Sequence, residues 1–411
     1  MPDITPETLI KSAEELRELV RERAGEAEEL GHYTPDVHQA FLDAGFYHML
    51  TPRKYGGHEV DLATFAKVVI EIGRGDPGTA WCLCLGHGHT VTTLASWPAK
   101  TQDEIFDNEL GYYRASHSLN PAGTARRVDG GWLVNAKSRY QSGVPYASHA
   151  IVAVTVEGEE APSPPPEAGA PGSALMPPPM LQVIIPAGQF TIQEDWGGDN
   201  VLGMRASGSN SIVVDDVVVP EHYGIFLAMD FPPTSPGVEL HGNPIYLGSP
   251  GVFPLLEVIL PVLGAARAAL DEFEHLTRTR NIAMLGGGPR LKDPFYQRDF
   301  GLGKIKADSA EAIVAHTLRT YTRFCHDVVN GVRPFALEEE LGLGCTLLQA
   351  AELAGEAVDI LWRSSGSSAA AKGQRMQRYL RDVSMFRTHY AAQFNANAQR
   401  FGALSLGEFP F

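Results

Sequence analysis

Apolar positions recur every three or four residues across the first third of the chain. Leu9, Ala13, Leu16, Leu19 and Val20 share one face of residues 5–30, with Glu and Arg between them, which predicts an amphipathic helix. Thr34 then supplies an N-cap and Pro35 a first helical position for PDVHQAFLDAGF. After the loop TPRKYGGHEVD comes a further helix, LATFAKVVIEIGR, and then TAWCLCLGHGHTVTTLASW, apolar enough to be a buried helix. From about residue 112 the period shortens toward two. ARRVDGGWLVNAKSRYQSG reads as a hairpin about Asp129-Gly130-Gly131, and AIVAVTV, MLQVIIPA, FTIQEDW and SNSIVVDDVVVP read as strands of a small antiparallel sheet. The Pro- and Gly-rich stretch 157–179 reads as a surface excursion between two of these strands.

Beyond Pro220 the helical period returns and persists to about residue 400. One of these runs, residues 376–393, places Met376, Tyr379, Val383, Phe386 and Tyr390 on a single stripe with His389 at its edge. On periodicity alone, that histidine reads as a core residue with a satisfied hydrogen bond rather than as a catalytic one, because isolated histidines on helices are common. Helices, then strands, then helices exclude a doubly wound sheet, in which the two alternate throughout. The expected units are residues 1–111, helical; 112–225, a β domain; and 240–411, a helical bundle.

Composition narrows the function. Against 33 Lys and Arg stand 49 Asp and Glu, a net charge of −16, which argues against nucleic acid or an anionic membrane as partner. The acidic start MPDITPETLIKSAEEL lacks the cationic and apolar pattern of a signal peptide, and no uninterrupted apolar run reaches membrane-spanning length. Cys82, Cys84, Cys325 and Cys345 form no zinc-type spacing and read as cytoplasmic free thiols. GLGK at 301–304 lacks the strand and spacing of a phosphate loop, and no GxGxxG opens a helix after a strand. His87 and His89 are two apart and point apart on a helix without a third ligand, so no metal is expected. A histidine near Trp81 can still bond a substrate, because imidazole both donates and accepts. In RYQSG, Ser142 and Gly143 suit either an ordinary turn or a strand end that approaches a ligand.

Several stretches together resemble the acyl-CoA dehydrogenase superfamily over nearly the whole chain. They are LTPRKYGG with DLATFAKVVIEIGRGDPGTAW, VLGMRASGSNSIVVDDVVVP at 201–220, LGAARAALDEF and MQRYLRDV. The resemblance implies a mainly α protein with a central β-barrel-like domain, a C-terminal four-helix bundle, flavin between the domains, and a homotetramer. One departure is decisive. Members with a catalytic glutamate in the last bundle carry it just after the Arg-Asp pair, whereas here Arg381-Asp382 is followed by no carboxylate until Glu408.

The run Gly366, Ser367, Ser368, Gln377, Arg378, Arg381, Asp382, His389, with Ser142 after an extended segment, is instead similar to the flavin-dependent monooxygenases built on this fold. That similarity implies reduced FMN or FAD as cofactor, a C4a-hydroperoxide as oxidant, an aromatic, phenolic or polycyclic substrate, and a separate NAD(P)H:flavin reductase. It implies His389 near the flavin C4a and Ser142 near N5, with Trp81, Gly143, Arg381, Ser367 and Ser368 also toward the cofactor. His87 or His89, with Ser116, His117 and Ser118, would hold the substrate hydroxyl. The competing readings are an acyl-CoA dehydrogenase using Glu257 as base, and a flavin-free scaffold of the same fold.

Overall fold

The computed structural model describes residues 4–158, 180–226, 233–248, 251–283 and 287–408. From residue 159 on, the Pro-rich excursion lies outside the described residues.

The N-terminal helices are α1 (Pro6–Leu30), α2 (Pro35–Asp43), α3 (Leu62–Gly75), α4 (Pro77–Ser96) and α5 (Ala99–Phe106). Their starts follow cap chemistry. Asp61 accepts from Ala63 and Thr64, and Asp76 accepts from Thr79 N–H at 2.8 Å, each satisfying amides that the first turn leaves orphaned. Helix α4 is buried nearly all round, as its unbroken apolar sequence requires.

Strands β1 (Ala115–Val128), β2 (Gly131–Ser138), β3 (His149–Val156), β4 (Met180–Pro186), β5 (Thr191–Ile192), β6 (Ile212–Val219) and β7 (Gly224–Phe226) form one sheet, in the order β5-β6-β2-β1-β3-β4-β7. The hairpin about Asp129-Gly130 is present. Two expectations change. FTIQEDW contributes only the short edge strand β5, because Asp195 turns away to accept from Ser211 N–H. The sheet is also mixed, because β3 pairs with β1 in parallel. A parallel neighbour cannot be reached by a tight turn, so the chain between β2 and β3 must cross the end of the sheet. That crossing segment contains Ser142 and Gly143.

The remaining helices are α6 (Pro236–His241), α7 (Val252–Thr279), α8 (Pro294–Val329), α9 (Leu337–Ser365), α10 (Arg375–Phe386) and α11 (Phe394–Ser405). Helices α7 to α10 pack on one another, and α7 also packs on α3 and α4, so both helical regions share one apolar core. A second core lies under the sheet around Trp132, Val152 and Ile184. Helix α7 is long and apolar enough to match a membrane span by composition, but 89% of its apolar 18-residue window is buried within the protein. It is the core helix of the bundle, interrupted by Glu257 and Arg267.

The expectation of one helix over 376–393 is corrected. Helix α10 stops at Phe386, and the chain turns through Arg387 and Thr388 before a short 3-10 segment at Tyr390–Ala392. His389 is the cap of that segment rather than a residue on the helical stripe.

Candidate functional site

Where α4, α7, the loop after α10 and the end of the sheet meet, they enclose a cavity of about 700 Å³. Helix phase decides what α4 contributes. Trp81, Leu85, His89, Thr92 and Ser96 follow one another at three- or four-residue steps and line the cavity. His87, two residues before His89, is rotated by about 200°. It faces Tyr47 and Phe65, with ring centroids 5.8 and 6.5 Å away, and lies outside the cavity lining.

At one end of the cavity a chain of hydroxyls is laid down. Trp81 Nε1–H donates to Ser142 Oγ at 3.1 Å, Ser142 and Ser209 hydroxyls are 2.7 Å apart, and Ser209 and Ser207 hydroxyls are 2.7 Å apart. All four residues line the cavity. Gly143 holds the turn behind them at φ 78, and a Cβ there would stand 2.9 Å from Cys82 O on α4. Glycine is therefore what lets the crossing segment lie against the helix. Gly143 itself does not line the cavity.

His389 closes the same end, with its ring edge-on to Trp81 at 5.5 Å between centroids. Its Nδ1 accepts from the Ala391 backbone N–H at 3.2 Å, so in the neutral ring the proton resides on Nε2. Burial pulls its pKa down to about 4, which keeps the ring neutral at physiological pH. This end therefore offers an N–H donor.

About 12 Å along α4, two turns beyond Trp81, His89 has the opposite polarity. Its Nδ1 lies 2.7 Å from Ala115 O, and a carbonyl can only accept. Nδ1 therefore carries the proton and Nε2 is a free acceptor. Burial lowers its pKa to about 4 as well. Beside it are the His117 ring at 5.1 Å and the Glu257 carboxylate oxygen Oε2, 3.7 Å from His89 Nε2. Burial holds the Glu257 carboxyl well above the usual carboxylate range and His117 well below the usual imidazole range. Ser118 also lines this region, helped by the irregular pairing of β1 after it. Ser116 is buried outside the lining, as alternation along a strand requires of the residue before His117.

The Arg381-Asp382 pair positions these groups without touching the cavity. Asp382 Oδ1 accepts from Met204 N–H at 2.6 Å, while Arg381 donates to Leu202 O at 2.9 Å and to Glu28 at 2.6 Å. These bonds tie α10 to the loop that carries Met204, Ser207 and Ser209. Ser367 and Ser368 are exposed beyond α9 and lie outside the cavity, with Ser368 Oγ accepting from Arg280 at 2.6 Å. Ser207 and Ser209 were not among the residues expected at the site, although both stand in VLGMRASGSNS, and Glu257 was expected there only as a base.

The family model described as Acyl-CoA dehydrogenase, N-terminal domain, matches residues 7–106, and the one described as Acyl-CoA dehydrogenase, C-terminal domain, matches residues 258–394. The chain is 28% identical to a flavin-dependent monooxygenase, oxygenase subunit HsaA, of Rhodococcus jostii, over 95% of each chain. It is 24% identical to a p-hydroxyphenylacetate 3-hydroxylase, oxygenase component, of Acinetobacter baumannii, over 100% of this chain and 91% of the relative. The crystal structure of 3-HSA hydroxylase from Rhodococcus sp. RHA1 superimposes with a TM-score of 0.82 at 26% identity, covering 97% of both chains.

Proposed function

The chain belongs to the acyl-CoA dehydrogenase superfamily, and from that premise we propose that it is the oxygenase component of a two-component flavin-dependent monooxygenase. It hydroxylates an aromatic, phenolic or polycyclic small molecule with reduced flavin and O2. The oxygenase relatives support this reading, and one observation in the cavity carries it. At the end of α10, where a dehydrogenase of this fold carries a carboxylate, stands a neutral histidine whose Nε2 must be a donor.

The donor set fits a flavin ring. A cavity of about 700 Å³ lies within the range that takes a cofactor and a small substrate, and Trp81, Ser142 and His389 present a flat wall, a hydroxyl and an N–H side by side. Reduced flavin, FMN or FAD, supplies the activated oxygen when bound. His389 donates from Nε2 to an oxygen atom beside it and can return a proton there, while a carboxylate would repel developing negative charge. Ser142 anchors the ring edge through a hydroxyl already oriented by Trp81 and Ser209. At the far end, His89 Nε2 accepts the substrate hydroxyl proton and makes the ring more electron-rich, with His117 and Ser118 beside it.

A separate NAD(P)H:flavin reductase is the partner that this chemistry needs. A homotetramer gives the exposed Ser367 and Ser368 a neighbour's flavin to meet. A cytoplasmic setting agrees with the four free cysteines.

Glu257 in the cavity wall favours a second reading, a dehydrogenase base. A base must first be ionised, however, and burial pushes this carboxyl well above the usual carboxylate range, which opposes ionisation. Anaerobic mixing of the flavin-loaded protein with NADH, or with a saturated acyl-CoA, separates the two. Neither should reduce the flavin, and rapid reduction by either one overturns the oxygenase reading.

A further inference from the structure

Glu257 is 3% exposed, its Oε1 has no hydrogen-bond partner among the described residues, and it lines the cavity. An unpaired buried carboxyl costs stability, so its presence calls for an explanation in function. The opposing helix makes room for it. A Cβ at Gly88 would stand 1.9 Å from Glu257 Cδ, so glycine there is what admits the carboxyl beside His89. The gap of 3.7 Å between Oε2 and His89 Nε2 exceeds a hydrogen bond, yet an oxygen atom set to the cavity side of that gap, about 2.8 Å from each, can bond to both.

We propose that Glu257 is a substrate-binding acid, whose carboxyl O–H donates to the same substrate oxygen that donates its own proton to His89 Nε2. The proposal rests on the oxygenase reading and extends it by giving the substrate hydroxyl a second partner, a donor from the opposing helix. His89 Nε2 is an acceptor because Ala115 O takes the Nδ1 proton. With an Nε2 this weakly basic, the bound substrate keeps its O–H and donates it to Nε2 as a hydrogen bond; the O–H bond breaks only once oxygenation of the ring has made that hydroxyl acidic, the proton then forming an N–H bond at Nε2 and the electron pair staying on the oxygen. Glu257 keeps its own proton and donates a hydrogen bond to that oxygen, a role open to a carboxyl whose pKa burial raises. His117, Tyr390 and Cys84 are the other titratable groups that come near. Burial keeps the first uncharged, and burial together with Glu257 raises the pKa of the other two. No cation stands beside the Glu257 carboxyl to hold it ionised, since its only ionic neighbour among the described residues is His89.

The test is equilibrium binding to the full chain at neutral pH, with 4-nitrophenol as probe and nitrobenzene, which lacks the hydroxyl, as control. E257Q keeps an N–H donor and should bind 4-nitrophenol within a few-fold of the wild type. E257L should bind it roughly ten- to hundredfold more weakly while nitrobenzene binding is held or improved. G88A, which crowds the carboxyl without changing its chemistry, should behave as E257L does. An infrared difference spectrum between the wild type and E257Q, taken without ligand, should show a protonated-carboxyl band lost in the variant. The proposal is overturned if E257Q binds as weakly as E257L, if E257L matches the wild type, if the wild type shows no preference for the phenol, or if the carboxyl band is absent. None of these readouts uses flavin turnover. A protein that passes them all yet oxygenates no phenol would refute the oxygenase reading and leave this assignment standing.

Discussion

Replacing His389 by alanine separates a catalytic histidine from a structural one. The side chain makes three contacts, one of them a tilted ring contact with its neighbour Tyr390 at 4.7 Å, and the loss of the other two can be sized. Its Nδ1 accepts one backbone N–H, from Ala391, worth about 0.5–1.5 kcal/mol, and its ring meets Trp81 edge-on, worth about 0.5–1.5 kcal/mol. H389A should therefore destabilise the protein by about 1–3 kcal/mol, enough to move a thermal midpoint by a few degrees but not to unfold it. The catalytic loss should be far larger, because removing one positioned proton-transfer group costs about two to four orders of magnitude in the step it serves. The visible consequence is uncoupling, in which oxygen is still consumed but leaves as hydrogen peroxide. The assay measures hydroxylated product and peroxide from the same reaction, started with chemically reduced flavin, alongside a melting curve of the same variant. H389Q, which can restore a donor but cannot shuttle a proton, should recover stability and leave coupling poor. With a pKa near 4, the wild-type ring stays neutral down to about pH 5, so coupling should be flat from pH 8 to there. A lowered midpoint with an unchanged product-to-peroxide ratio refutes the reasoning and makes His389 a structural cap.

Four further outcomes follow from the geometry. S142A should fold normally, since the Ser209–Ser207 pair survives, and should shorten the lifetime of the oxidising species in stopped-flow absorbance; an unchanged lifetime removes Ser142 from the site. D382L should cost about 1–3 kcal/mol by orphaning Met204 N–H, while D382N, which keeps an acceptor, should cost much less in denaturant unfolding. His89 and His149 are held near pKa 4 in the folded chain, against 6.5 unfolded, so their contribution is complete above pH 6.5 and is lost as pH falls toward 4, about 2 kcal/mol apiece by pH 5. Glu257 acts with the opposite sign, because its raised pKa costs stability above about 4.5 and acid relieves that cost. E257L should thus be more stable than the wild type at pH 7.5 and lose stability more steeply on acidification, which urea midpoints at both pH values will show.

Local chemistry was legible in the sequence wherever it sets local structure. The Asp129-Gly130 hairpin and the buried apolar α4 stand as their residues dictate, and α2 starts after Thr34 with Pro35 at its first position, although the Thr34 hydroxyl donates to the Asp36 carboxylate and caps no backbone amide. The end of α10 was not legible. No Gly or Pro marks it, the apolar stripe continues numerically to Tyr390, and the helix stops because the Arg387–Asp359 pair and the His389 cap favour a turn. The parallel pairing of β1 with β3 was hidden for a different reason, since strand direction is settled by where the crossing segment packs and not by the strands' own period. At the site, helical phase alone separates His89 from His87, a distinction available from spacing once Trp81 is taken as the reference. Glu257 required tertiary information, because nothing in LLEVIL signals that Gly88 will open space for its carboxyl.

The decisive measurement is incorporation of labelled oxygen. Chemically reduced FMN or FAD is mixed with the full chain, isotopically labelled O2 and a set of phenols that includes 4-hydroxyphenylacetate and resorcinol, with no reductase present. An oxygenase component should place one labelled oxygen atom in a hydroxylated product, and should do so without NADH. If every phenol is recovered unchanged, and all the label appears as hydrogen peroxide at the rate of free reduced flavin, this protein is not an oxygenase of phenols.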